Sequence, residues 1–434
     1  MPYQNENDGF EVIVVGGGLA GLAAAYILAD RGVEVLVLER GDYCGAKNVT
    51  GGRIYLNPVR EIFSQLLKDA PFERHIAHEE VSLFAASRSL TLRYDGSELG
   101  DPPYQSYSVL RAKFDRWLAR QAEKKGAMLA TKSRVDDVIL ENGVVKGVRA
   151  GGEELRANVV IACDGVLSLV SERAGLRKDI QPQYYAVGIK EVIEMDRKAI
   201  ENRFNLEGEE GVARLFMGDV TAGMFGGGFL YTNLDSISLG LVVSIKDLLE
   251  NQREVIVSDL LERFKQRSEV SLLIKGGETV EYSAHVIPEG GFNALNSLYG
   301  DGILVAGDAA GFALNIGVTV RGMEYALASG YYAAQTVLHA REKGDYSRAT
   351  LGLYRQLLED SFVLKDFKSF RDALSVLNSP RLFQHYPELL GNILRDLYWI
   401  PPGPKDRLYS TVRRYLGVRE VWQALGDVRR MSKI

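Results

Sequence analysis

An α/β fold, with a second α+β domain interleaved in the first and a mostly helical C-terminal region, is predicted by three observations. The chain opens with a strand, a glycine turn, a helix and a second strand that ends in an acid. A strand running into glycine and aspartate returns near residue 305. Beyond residue 345 the sequence reads as helices interrupted by Pro380, Pro387 and Pro401-Pro402-Gly403-Pro404.

The opening is the most informative part. Glu11 to Val15 is a short apolar run, followed by Gly16-Gly17-Gly18-Leu19-Ala20-Gly21 and an alanine-rich run to Ala29. Gly16 permits a tight turn, Gly18 lets a pyrophosphate approach the backbone, and Gly21 allows close packing of helix on strand. Phosphates then sit on the helix N-terminus. Asp30-Arg31-Gly32 ends the helix, and Val33 to Leu38 supplies a second strand. Glu39, 18 residues beyond Gly21, is placed to accept hydrogen bonds from an adenosine ribose. This order of elements predicts a Rossmann-like, dinucleotide-binding βαβ unit. The uncharged stretch Val12 to Ala29 is long enough to raise a transmembrane alternative, but its central glycines and βαβ spacing favour the soluble reading.

Gly41 to Arg53 reads as a polar loop, either wrapping a cofactor or lying on the surface. Residues 58–70 read as helical, and Val81 to Arg93 as strands. Leu110, Phe114, Trp117, Leu118 and Ala122 predict a helix over 109–125, with Trp117 in the core. Val135 to Leu140 and Val144 to Ala150, joined by Asn142-Gly143, predict a hairpin. Asn158 to Ala162 is a strand entering Cys163-Asp164-Gly165. Residues 184–250, with a glycine cluster at 223–228, are expected to form the second domain's sheet. In Gly302 to Gly311 a strand reaches Gly307-Asp308, and a helix is expected soon afterwards, running toward Val337. Asp308 can reach a ribityl hydroxyl there, although a plain strand-to-helix turn has the same look.

Composition narrows the function. The 434 residues are 46% hydrophobic and 25% charged with net charge −5, which excludes a wholesale nucleic-acid binder, a disordered chain and an integral membrane bundle. Two cysteines, Cys44 and Cys163, cannot build a four-thiolate cluster, and with no secretory leader a reducing compartment is expected. His75 and His78 can share a helix face but lack a third ligand, so no metal is expected. From Pro404 to Ile434 there are eight Lys/Arg against three Asp/Glu, with Tyr415, Leu416 and Trp422 as apolar anchors. This tail suits an anionic membrane surface or a partner, and equally a solvated end packed on its own domain.

Taken together, these motifs resemble the flavoprotein family of electron-transfer-flavoprotein:quinone oxidoreductases, FixC proteins and geranylgeranyl reductases, over nearly the whole chain. Lys47-Asn48-Val49-Thr50-Gly51-Gly52-Arg53, Gly226 to Thr232, His285 to Gly291, Pro380 to Phe383 and Tyr386 to Leu389 resemble the FixC branch. The resemblance implies FAD, held by Gly16, Gly18, Gly21, Glu39, Arg40, Gly51, Gly52, Arg111, Asp164, Gly165, Gly307, Asp308 and Gly311. It implies that Thr50 or Arg53 stabilises reduced-flavin charge and that Tyr231, with Phe229, lines a quinone entrance. His285 is expected in a polar, glycine-bearing loop, bonding a quinone carbonyl or supplying a proton, or else serving as a satisfied structural histidine.

The implied partners are the alpha and beta subunits of an electron-transfer flavoprotein, a FixX-like ferredoxin subunit carrying the iron–sulfur centre, and menaquinone or ubiquinone. The implied setting is peripheral, on the cytoplasmic side of the membrane, and in assemblies that bifurcate electrons from NADH this type of subunit forms the quinone branch. An isoprenoid double-bond reductase and a non-catalytic, FAD-stabilised assembly subunit are the alternatives. The expected organisation is FAD-binding at 1–75, 109–180 and 291–345, substrate or quinone binding at 76–108 and 181–290, and a helical region with a basic tail at 346–434.

Overall fold

The computed structural model describes residues 9–47, 52–251 and 255–434. The chain begins with β1 (Phe10–Val15), α1 (Leu19–Asp30) and β2 (Val35–Leu38). Both strands are apolar runs buried on both faces, as a parallel sheet covered by helices requires. The chain then crosses to a second sheet through β3 (Arg53–Tyr55), β4 (His75–Phe84), β5 (Ser89–Asp95) and β6 (Ser106–Ser108). Helix α2 (Arg111–Lys124) returns it to the first sheet, where β7 (Met128–Ala130), the hairpin β8 (Val135–Glu141) and β9 (Val144–Ala150), and β10 (Glu153–Ala162) follow. Asn142 and Gly143 both take positive φ, 52° and 81°, as the tight hairpin turn demands.

The second sheet is completed by β11 (Tyr185–Glu194), β12 (Glu210–Gly218), β13 (Gly226–Thr232), β14 (Ser236–Ser244) and β15 (Glu278–Pro288). Its order is β15-β11-β14-β13-β12-β4-β6-β3, with β5 beside β4. One face buries Ile189, Leu230, Leu239 and Leu241 with Phe264 in a core of its own. The opposite face turns toward the first sheet.

Strands β16 (Tyr299–Gly300) and β17 (Ile303–Val305) rejoin the first sheet, whose order is β16-β17-β10-β1-β2-β7. The long helix α3 (Met323–Lys343) then packs across α1. The crossing is close because Gly330 lies on the α1 backbone, where a Cβ would sit 2.1 Å from the Ala20 carbonyl oxygen. The remainder is helical and ends in α4 (Tyr386–Tyr398), α5 (Leu408–Tyr415) and α6 (Val418–Met431).

Several local expectations are corrected. Residues 58–70 are turns closing in one 3₁₀ turn, Leu66–Asp69, rather than a helix. Helix-type bonds form only from Phe63 to Val59 and from Leu67 to Phe63, which buries the apolar spacing without a continuous ladder. His75 and His78 lie on β4, so their spacing of three directs them differently. His75 stacks on Tyr104, His78 bonds Asp95, and no metal-holding cluster occurs among the described residues. His285 is within β15, paired opposite Gly188, rather than in a loop. The helix after Gly311 begins only at Met323, because the small ribbon Leu314–Asn315 with Val320–Arg321 intervenes.

Replacing Gly330 by valine should lower the apparent melting temperature by the equivalent of ~1–3 kcal/mol or more, because the α1 backbone cannot retreat. Gly100→Ala, at a site with open space around it, should change stability by less than ~0.5 kcal/mol. Thermal denaturation followed by circular dichroism compares the two.

Candidate functional site

Register brings the motifs together. Leu38, Val15, Ala162 and Val305 are paired in one row across four parallel strands. Beyond that row lie Glu39, Gly16, Cys163-Asp164-Gly165 and Ala306-Gly307-Asp308. The carboxyl edge of a parallel sheet is where such folds receive ligands, because each chain turns there into a loop or helix.

At the centre of this edge the backbone is crowded. Gly16 has φ +107°, and a Cβ on it would lie 2.2 Å from the Cys163 carbonyl oxygen. Gly21 lies over the same turn, with a Cβ position 2.1 Å from the Gly16 carbonyl oxygen. Helix α1 therefore starts directly on the strand end. Its first turn holds no acid and its Gly18 cap offers no side chain, so the opening N–H groups face the cavity without a competing carboxylate. Glu39 accepts hydrogen bonds from the N–H of Gly17 at 2.8 Å and of Gly41 at 2.6 Å. Each carboxylate oxygen keeps a further lone pair for a hydroxyl.

Arg111 and Asp115 form a buried two-pronged pair, Nε to Oδ1 and Nη2 to Oδ2 both at 2.8 Å. Asp308 lines the cavity beside them. Burial raises its pKa, and Arg111 partly offsets this. Asp164 uses Oδ2 to accept the Val170 N–H at 2.9 Å, while its buried Oδ1 has no hydrogen-bond partner among the described residues. Burial pushes this carboxyl up to about 6.

The second sheet closes the cavity from the other side. Gly52 meets the Tyr231 ring, a Cβ there being 2.5 Å from Cδ2. Tyr231 stacks on Phe229 with centroids 5.5 Å apart, and burial pushes its phenol up to about 12. Arg53 donates to Ser106 Oγ and to both carboxylate oxygens of Glu79, and lies over Tyr55. His285 faces the cavity, and burial followed by the charges of Arg40 and Arg111 lowers its pKa. The lining also includes the apolar Met217, Phe225, Leu377 and Phe383.

Among the residues expected to act, Gly18, Gly52, Arg53, Arg111, Gly165, Tyr231, His285, Gly307 and Asp308 line this one cavity. Gly16, Gly21 and Glu39 shape its rim, Gly311 turns the chain at φ +89°, and Arg40 is exposed at the end of β2. Thr50 and Gly51 lie outside the described residues. Sequence reasoning missed Lys190, Glu289, Asn315 and Arg321, all of which line the cavity. Glu289 accepts from Asn315 Nδ2 at 3.3 Å, and burial pushes it up to about 7. Lys190 carried a signal, being a lysine within the otherwise apolar strand pattern Ala186, Gly188, Lys190, but only the sheet shows where it faces.

The protein-family model described as "FAD binding domain" matches residues 9–203. FixC of Escherichia coli strain K12 is 46% identical over 408 residues, covering 94% of this chain and 95% of that protein. The chain belongs to the FixC family. FixC of Azotobacter vinelandii is 37% identical over 423 residues, covering 96% of this chain and 97% of that one. A protein named as a probable electron transfer flavoprotein-quinone oxidoreductase, YdiS of E. coli K12, is 44% identical, with coverage of 92% and 93%. A geranylgeranyl bacteriochlorophyll reductase-like structure from Thermoplasma acidophilum superposes with TM-score 0.72 at 22% identity, covering 97% of this chain and 99% of that one. That likeness is one of fold.

This FixC-family chain is an FAD-dependent oxidoreductase, and its residues fit FAD. The uncapped α1 N-terminus suits a pyrophosphate, Glu39 a ribose and Asp308 a ribityl chain. Gly16→Val should leave less than a tenth of the wild-type FAD absorbance per protein after purification. Glu289 yields a pH prediction. Its folded pKa lies above the ordinary 4.5, so the stability contributed by the neutral carboxyl is full below pH ~4.5 and lost as pH rises through about 7. Relative to Glu289→Gln, the wild type should lose at most ~1.4 kcal/mol per pH unit across that window, read from melting temperatures at each pH.

Proposed function

We propose that this FixC-family protein passes electrons from an electron-transfer flavoprotein, through or together with a ferredoxin-like subunit, to a membrane quinone. In a larger assembly it would form the quinone branch of an NADH-dependent bifurcating complex, on the cytoplasmic face of the membrane. Bound FAD supplies the redox chemistry, accepting electrons singly or in pairs. The protein's own residues bind, orient and shield.

The observation that carries this reading is the lining of the cavity. Its lining joins the α1 N-terminus, Arg111 and Asp308 to the apolar side chains of Met217, Phe225, Leu377 and Phe383, so polar groups suited to a cofactor and apolar groups suited to a greasy ring share one cavity. Phe229 and Tyr231, stacked on each other, line it as well, and His285 offers an imidazole to a carbonyl oxygen. Such a lining accepts a greasy ring. The names carried by the relatives, FixC and a probable electron transfer flavoprotein-quinone oxidoreductase, support the same direction.

Helix α6 supports a membrane setting. Its polar residues face the protein: Glu420 and Asp427 bind Arg381 at 2.6 and 2.7 Å, and Gln423 binds it at 3.1 Å. Its apolar stripe, Val418, Val421, Trp422, Leu425 and Val428, faces outward, with Val418 77% and Trp422 71% exposed. Tyr398, Trp399 and Ile400 are exposed at the end of α4. Arg413, Arg414, Arg429 and Arg430 supply cations, the arrangement that holds a helix in an interface. No helix among the described residues is long and apolar enough to cross a membrane.

The direct test is anaerobic visible spectroscopy of the native complex, adding reduced electron-transfer flavoprotein and then a quinone analogue. Bleaching followed by quinone-dependent recovery of the flavin band is expected. FAD that stays inert to both overturns the proposal. A second test is the variant Val421→Ser/Trp422→Ser/Leu425→Ser, which should bind vesicles containing anionic lipid at least tenfold more weakly with unchanged FAD content, measured by sedimentation.

A further inference from the structure

Lys190 stands apart from the other cations of the cavity. Arg53 is held by Glu79 and Ser106, Arg111 by Asp115, and Arg321 by Glu324 and Asp366. Lys190 is 2% exposed in the interior strand β11, yet its ammonium makes no hydrogen bond within 3.5 Å among the described residues. The nearest carboxylate, Glu281 Oε1, is 3.8 Å away on a side chain that is 42% exposed. Burying an ammonium without a close partner costs several kcal/mol, and an apolar residue would serve the packing better.

Its direction is set by register. Lys190 pairs with Gly240 of β14 and Ser283 of β15, and shares its sheet face with Gly188 and His285. Ser283 Oγ, opposite it, is also buried without a hydrogen-bond partner among the described residues. Gly240 leaves the neighbouring space to Phe229, whose Cζ is 2.4 Å from where a Cβ would be. The ammonium thus lies on the cavity face beside the Phe229–Tyr231 stack, in the same cavity as Arg111 and Asp308.

We propose that Lys190 is the anion-stabilising residue of this cavity, donating to an oxygen that gains negative charge as electrons pass between FAD and its acceptor. Such an oxygen belongs either to the flavin ring or to the acceptor quinone, and the second case rests on the function proposed above. In that step the quinone takes two electrons and one proton from reduced FAD and one proton from water, giving quinol. Lys190 ends the step with the protons it began with.

The test uses the FAD-loaded full chain with Lys190→Met, Lys190→Gln and Lys190→Arg. Two quantities are read: the FAD midpoint potential by spectroelectrochemical titration, and the half-saturating concentration of a quinone analogue in reoxidising chemically reduced protein. A potential lowered by ~30 mV or more in the methionine and glutamine variants, a tenfold loss for a two-electron couple, assigns the oxygen to the flavin. An unchanged potential with at least a tenfold rise in half-saturation assigns it to the quinone. Lys190→Arg should retain most of the wild-type value in either case. Lys190→Met should melt no lower than wild type, because it removes a buried charge, and Lys190→Gln serves if that variant does not fold. Both quantities within twofold of wild type (or ~10 mV for the potential), at normal FAD content, overturn the proposal. If wild-type FAD is not reoxidised by quinone, the quinone reading falls and the potential alone decides the role of Lys190.

Discussion

The carbonyl oxygen of Cys163 would lie 2.2 Å from any Cβ on Gly16, and the carbonyl oxygen of Gly16 would lie 2.1 Å from any Cβ on Gly21. Three pieces of backbone are stacked at van der Waals contact at this point, and the remaining structure is arranged around it. The contact locks β10 beside β1 and sets α1 directly on the strand end. It makes the carboxyl edge of the sheet a level shelf, so that motifs far apart in sequence open into one cavity. Gly307 with Ala20, and Gly330 with the Ala20 carbonyl, extend the same close packing to the late motif and to α3.

Around the cavity the governing effect is electrostatic. A cavity that must hold an anionic cofactor needs positive charge, but a buried cation is costly unless its protons are placed. Arg53, Arg111 and Arg321 meet that demand through carboxylates held against them, which also fixes their planes. Their burial works against charge, yet in each case the neighbouring groups outweigh it and hold the pKa above the ordinary value. Lys190 has only the distant Glu281, and burial together with Arg111 lowers its pKa despite that carboxylate. The difference between three guanidiniums held by close carboxylates and one ammonium with only a longer ion pair distinguishes framework from function around this cavity.

The C-terminal helices invert the usual arrangement, in which a surface helix turns its apolar stripe inward. Arg381, His385 and Tyr386 draw the acidic side of α6 onto the body through Glu420 and Asp427. With that side occupied, the apolar side has only the outside to face. The fold thereby keeps a greasy, cation-rimmed surface at its end while its interior cavity carries apolar side chains in its lining.

The first sheet was legible because its signals are local. Gly16 to Gly21, Glu39, the Asn142-Gly143 turn and the periodicity of α2 each state a backbone conformation that neighbours in the chain enforce. Residues 58–70 misled because burial of Val59, Phe63 and Leu66 at helical spacing does not require a helix, and His285 misled because flanking glycines do not preclude a strand. Lys190, Glu289 and the outward face of α6 were not legible, since a residue's facing depends on strand pairings and ion pairs made far along the chain. The sequence by itself determined a nucleotide-binding βαβ unit, its glycine turns and its acidic residues, because steric limits on φ and ψ act between adjacent residues. Only the tertiary structure decided which charges share a cavity and which of them is held only by a longer ion pair, because burial and pairing are properties of elements brought together by register rather than by order.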